Sequence, residues 1–241
     1  MRKYTLITNV VIIIAAFAEA QPYIDLVNVY YSYSPGKGIN ENNSLNRFNH
    51  FRSQLNIPLV SKKDSSVFLI SPSFEIRTLR AEESSTLIKV QSLFTVLTYT
   101  KKFNPTWSLT LGIIPRWNGV SSLLFSKGFQ LGGLFYISRR FNPELVLRAG
   151  LYYNREFFGN FFIPIIGIEW KINQRSNLFG NLPNSLIYEN RITKRVSLGA
   201  SFRTFPNSYR IEPTGPQNTL DYYRITDIQA GAFADFYLHQ S

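Results

Sequence analysis

The sequence predicts an all-β protein: an antiparallel up-and-down transmembrane β-barrel of ten crossing strands, or twelve if a short internal hairpin also crosses. Three observations carry this expectation. Apolar and polar residues alternate with a strict period of two over several segments long enough to cross a bilayer as tilted strands. A basic turn, Lys101-Lys102-Phe103-Asn104-Pro105, recurs about 38 residues on as Arg139-Arg140-Phe141-Asn142-Pro143, and two strands of about ten residues with their connections fill that length. The chain also opens in the form of an export signal.

That opening has three parts. Arg2 and Lys3 supply the charged start, and an apolar stretch follows, densest from Val10 to Phe17. Ala18-Glu19-Ala20 then offers small residues on either side of a cleavage point before Gln21. The apolar part is shorter than a membrane-spanning helix requires. The expected organisation is therefore a signal peptide, residues 1–20, and one barrel domain, residues 21–241.

Four segments define the alternation. In Val67–Leu79 the even positions Phe68, Ile70, Pro72, Phe74 and Ile76 oppose Ser71, Ser73, Glu75 and Arg77. In Trp107–Trp117 the odd positions Trp107, Leu109, Leu111, Ile113, Pro115 and Trp117 oppose Ser108, Thr110, Gly112 and Arg116. In Leu145–Tyr153 the face Leu145, Leu147, Ala149, Leu151 and Tyr153 opposes Arg148, Gly150 and Tyr152. In Val196–Phe202 the face Val196, Leu198, Ala200 and Phe202 opposes Ser197, Gly199 and Ser201. No helix places such a pattern on one face. Tyr23–Ser34, Arg47–Leu59, Leu87–Tyr99, Gly128–Ser138, Phe161–Ile172 and Tyr222–Leu238 are noisier but strand-like. Aromatic residues recur near segment ends, among them Tyr99, Phe103, Trp107, Trp117, Tyr153, Phe157, Phe158, Phe161 and Trp170. Rings with an apolar body and a polar tip rest well at a membrane–water boundary.

The connections alternate in kind. Ser61–Ser65, Lys101–Pro105 and Arg139–Pro143 are compact, and Asn-Pro suits turn initiation. Pro35–Asn46, Gly119–Lys127 and Pro206–Leu220 are longer and richer in Gly, Pro, Asn or Ser. Short turns belong on the periplasmic side of such a barrel and long loops outside. Between Ile172 and Val196 the rhythm breaks. Leu178–Pro183 is too short to cross, and Pro183 cannot donate to a ladder. Asn177–Ile192 is expected to form a small hairpin near the periplasmic rim.

The same region carries a resemblance. Pro164-Ile165-Ile166-Gly167-Ile168-Glu169-Trp170 with Ile172-Asn173, then Leu178-Phe179-Gly180-Asn181-Leu182-Pro183-Asn184-Ser185, Tyr188-Glu189 and Leu198-Gly199, resembles an uncharacterised family of outer-membrane β-barrel proteins, a domain of unknown function. The likeness covers about Phe161–Tyr209 and implies an outer-membrane barrel. It implies no activity, substrate or catalytic residue.

Composition excludes several classes. Only 17% of residues are charged, and there is no cysteine, so disulfide scaffolds, thiolate metal sites, cysteine nucleophiles and a lipoprotein anchor are all out. The net charge of +11 sits largely in short turns (Lys62-Lys63, Lys101-Lys102, Arg139-Arg140, Arg175, Lys194-Arg195), as suits solvated rims near phosphate headgroups. Outer-membrane lipid is the expected partner. Nucleic acid is not, because the chain is exported, and the sequence names no solute or protein partner.

The polar faces carry Asn28, His50, Gln54, Asn56 and Asp227, together with Arg52, Glu75, Arg77, Lys89, Arg116, Arg148, Glu169, Lys171 and Arg203. The last nine are expected to form a charge network in the lumen, since charges in a narrow interior must pair. Such a network closes the lumen or leaves a narrow, basic-biased passage. No cofactor, metal or catalytic motif is present; G-x-S-x-G, H-E-x-x-H and a P-loop are all missing. The function expected is that of an integral outer-membrane protein without enzymatic activity, a narrow pore or a structural or surface module. Two alternatives stand beside it. One is a soluble secreted barrel whose apolar faces line a ligand cavity. The other is a rim enzyme using His50, one of two histidines with His239.

Overall fold

A computed structural model describes residues 25–34, 47–80, 87–120, 122, 125–211 and 221–237. The export signal, His239, the loop Pro35–Asn46 and most of the last loop lie outside the described residues. The strands are β1 (Val27–Ser34), β2 (Arg47–Leu55), β3 (Ile57–Val60), β4 (Val67–Arg80), β5 (Leu87–Lys102), β6 (Trp107–Gly119), β7 (Phe129–Asn142), β8 (Leu145–Glu156), β9 (Gly159–Lys171), β10 (Ser176–Leu182), β11 (Ser185–Arg191), β12 (Val196–Arg210) and β13 (Tyr222–Phe236). One helical turn, α1 (Phe125–Gly128), precedes β7. It lies so close to Trp117 that a Cβ on Gly128 would stand 2.5 Å from the indole Nε1.

All thirteen strands belong to one sheet in which successive strands pair antiparallel; β2 and β3 share β4 as a partner. Asn56 interrupts what the sequence reads as a single strand, Arg47–Leu59. Strands β6 to β12 close into a seven-strand ring through a parallel bridge between Arg210 and Gly119 and a bond from Val120 N–H to Arg210 O of 3.2 Å. The remaining strands extend the wall on either side of that closure. The first and last approach each other where Tyr30 Oη donates to Gln229 Oε1 at 2.5 Å.

The short turns share one device, a side-chain oxygen accepting backbone N–H groups. Asn104 Oδ1 takes Thr106 and Trp107, Asn142 takes Glu144, Asn173 takes Arg175 and Ser176, and Thr193 Oγ1 takes Arg195 and Val196. The turn from β8 to β9 instead uses Gly159 at φ +128°, a conformation that glycine adopts without steric cost.

The burial pattern is inverted. Among the described residues only Val90, Ile114 and Tyr209 are buried apolar or aromatic groups, whereas eighteen polar or charged residues are buried. Along β6, Leu111 and Ile113 are 49% and 57% exposed while Thr110, just before Leu111, is 2% exposed. The apolar faces of β4, β6, β8 and lower β12 point outward and their polar partners inward, as the alternation requires.

Strands β10 and β11 are half-height. The first pairs β9 only from Ile166 to Lys171, and the second pairs β12 only as far as Arg203. They stand in the wall as a short hairpin whose turn contains a cis Leu182–Pro183 peptide. Beyond the bond from Thr204 N–H to Asn184 O of 2.8 Å, the backbone of β12 is bonded on that side, among the described residues, only at Arg210, where it meets β6, and the strand leaves the wall. The expected loop Pro206–Leu220 is thereby corrected. Pro206–Arg210 continues β12, paired with β13 up to Arg210 opposite Tyr222, and crosses the barrel interior to reach β6.

Candidate functional site

A strand in a barrel wall touches two neighbours. Phe205–Arg210 touches β2 and β4 on one side and β6, β7 and the β8–β9 turn on the other, so it lies between these two groups of strands. Asn207, Ser208 and Tyr209 are buried one after another, so both faces of this stretch are covered. The sequence anticipates the change of setting. On lower β12 the even face is Leu198, Ala200 and Phe202; above it the same face reads Thr204, Pro206, Ser208 and Arg210.

The odd face of the crossing strand meets β2 and β4. Tyr209 Oη donates to Glu75 Oε1 at 2.9 Å. The same carboxylate oxygen receives Arg77 Nε and lies 3.3 Å from His50 Nε2. Arg77 also donates through Nη1 to Phe205 O at 3.3 Å. His50 is fully buried, with Tyr30, Phe205 and Phe48 ringed around it at centroid distances of 5.3, 5.5 and 6.2 Å. Its Nδ1 lies 3.7 Å from Asp227 Oδ2 on β13. Neither ring nitrogen is aligned for a hydrogen bond. Walled in this way, His50 does not sit at an open rim.

The even face meets β7 and β8. Glu156 accepts from Gln130 at 3.1 Å, from Asn154 at 2.6 Å and from the Ser208 hydroxyl. Gln130 also donates to Ser208 Oγ at 3.2 Å, and Phe157 N–H donates to the same oxygen at 3.3 Å. Asn118 joins the two faces. Its amide donates to Gln130 Oε1 at 2.6 Å and to Asn207 Oδ1 at 2.8 Å, and its own oxygen accepts from Ser92.

Seven of the nine expected network residues face the interior, but they do not form one network. Glu75 and Arg77 lie at the centre just described. Arg52 stands directly opposite Glu75 in register, yet it donates to Gln54 at 2.7 Å and stacks 5.1 Å from the Phe94 ring. Arg116 donates to Tyr152 Oη at 2.9 Å. Arg148 pairs with Glu169 nearer the turn end, and Arg203 is half-buried on the inward face of β12. The other two are corrections. Lys89 is exposed on the outward face of β5, because Val90 is the residue packed inward, opposite Arg77. Lys171 is exposed at the end of β9, where the strand has left the lumen.

Sequence reasoning missed Asn118, Gln130, Asn154, Glu156, Asn207, Ser208 and Tyr209. The available signal was the set of amide side chains near the loop-side ends of inward faces. Chemically, the arrangement is a cross-linked polar plug held by neutral donors, the Arg77 guanidinium and two buried carboxylates. No family model, curated protein or solved structure matches the chain.

Proposed function

We propose that this chain is an integral outer-membrane β-barrel, delivered through the periplasm after signal cleavage near Ala20, and that it acts there as a sealed structural or surface module rather than an open pore. The inverted burial carries this reading. Buried polar residues outnumber buried apolar ones among the described residues, and the large apolar side chains point outward, Ile166 67% and Phe236 73% exposed. In water such a surface is unfavourable; in hydrocarbon it is the solvated one. The soluble alternative needs Leu111 and Ile113 inside, and they lie outside. The crossing strand favours sealing over conduction, because Asn118, Asn154, His50 and Ser208 leave no exposed surface at the loop end.

The mature chain refolded in detergent is expected to change gel mobility on boiling and to carry no steady current across a planar bilayer. A chain that stays soluble without detergent and shows no heat-dependent shift overturns the membrane reading. A steady current from the intact chain overturns the sealed one.

A further inference from the structure

We infer that the two repeated basic turns form a binding site for the phosphate of an anionic glycerophospholipid, with the acyl chains lying down the outward faces of β6 and β7. This rests on the membrane reading above. The register places Lys101 opposite Leu109 and Trp107 opposite Arg139, so Lys101, Trp107 and Arg139 share one face on three adjacent strands. Neighbouring strands are about 4.8 Å apart and Arg139 stands two residues, about 7 Å, along from the level of Lys101, which sets the two cations about 12 Å apart at the backbone, within converging reach of one phosphate. Between them runs an apolar groove lined by Phe103, Asn104, Trp107, Leu109 and Ile137. Arg139 is held by rings on both sides, its guanidinium 5.2 Å from the Trp107 centroid and 4.5 Å from that of Phe141. Stacking of this kind fixes the plane and leaves the N–H edges for a planar or tetrahedral anion.

Among the described residues no ion pair neutralises these charges. The ion pairs among the described residues involve His50, Arg77 and Arg148, not Lys101 or Arg139. Glu144, the acidic residue of the two turns, is exposed and pairs with neither. The remaining structure of the repeat is accounted for by folding, since Asn104 and Asn142 build the turns. The paired cations, exposed Phe103 and Phe141 and the groove beneath them are not. A cation pair above an apolar groove matches a ligand with a phosphate head and hydrocarbon tails. The short-turn end of a barrel faces the periplasm, where that ligand is a glycerophospholipid.

The test uses the folded barrel in mixed micelles and the fluorescence of Trp107, isolated as the difference between wild type and Trp107→Phe. Phosphatidylglycerol with brominated chains should quench it at lower mole fraction than brominated phosphatidylcholine, by on the order of tenfold for two cations near an anionic surface. Lys101→Gln with Arg139→Gln should erase that preference, and Lys62→Gln with Lys63→Gln at another turn should keep it. Equal quenching by both lipids overturns the site, as does an equal loss in the Lys62/Lys63 pair. Displacement of the lipid by inorganic phosphate alone overturns its assignment as a lipid site. The heat-dependent gel shift, measured on the same samples, separates failure of this site from failure of the membrane reading.

Discussion

The two ends of the interior are built on the same alternation and behave differently. At the turn end, bonds join neighbouring strands: Arg148 with Glu169 across β8 and β9, and Thr100 with Thr110 at 2.8 Å across β5 and β6. The Arg148 and Glu169 side chains keep 15% and 27% of their surface. At the loop end, bonds span the lumen: Glu75 with Tyr209, Asn118 with Asn207, Gln130 with Ser208. There all six bonded residues are buried, whereas at the turn end Thr110 is buried but the charged pair is not. What separates the two ends is the six residues from Phe205 to Arg210, which leave the wall once β11 stops beside β12. A half-height hairpin in one part of the wall thus decides whether another part is open.

The sharpest way to break this comparison is to remove the crossing strand. Replacing residues 205–226 with a short Gly-Ser linker should leave the wall below Thr204 intact and open the loop end. Single-channel steps are expected in a planar bilayer where the intact chain gives none, with the heat-dependent gel shift retained. A folded variant that still carries no current would show that the turn end seals the barrel by itself.

A second comparison sets one buried pair against one half-exposed pair. Glu75→Gln leaves Arg77 buried beside a neutral amide and removes the anion facing His50, a loss expected to cost on the order of 3 kcal/mol. Arg148→Gln acts where water reaches both partners, and about 1 kcal/mol or less is expected. Denaturant unfolding of the two variants in the same detergent measures the difference. Equal losses would mean that the two ends are equally dry.

Much of the wall was legible in the sequence. A period of two tells inside from outside wherever one face meets lipid and the other side chains, so Glu75, Arg77, Arg116 and Arg148 could be placed inward from their strands alone. The misplacement of Lys89 shows where that logic stops. On β5 the inward residue is apolar Val90, because the interior at that height contains Arg77 and Tyr209 rather than water. A polar-in rule therefore selects the wrong face. Pro206–Arg210 reads as loop because Pro, Asn and Ser favour turns, and nothing local reports that a strand will be covered on both sides. The partners of Glu75 were obscured for a similar reason. Register brings Arg52 opposite, but Tyr209, 134 residues away, arrives only through the crossing.

The smallest expected effect lies at a turn, outside the lumen, and it sharpens the contrast between buried and solvated charge. Asp64 connects β3 to β4 beside Ser65, which adopts φ 53°. The Ser61 hydroxyl, then the hydroxyl and N–H of Ser66, at 2.8 and 3.2 Å, bond to its carboxylate and hold its pKa at about 2, below the ordinary 3.8. A carboxyl depressed on folding contributes stability that is present above its unfolded pKa and lost as pH falls through the folded one. The contribution of Asp64 should therefore be constant from neutral pH down to about 4 and disappear toward about 2. Since the group is fully exposed, Asp64→Asn should leave unfolding at neutral pH nearly unchanged. Carboxyl-carbon NMR of the refolded barrel should place its midpoint near 2. A midpoint near 3.8 would show that the turn's hydroxyls point elsewhere and that its conformation does not depend on the aspartate.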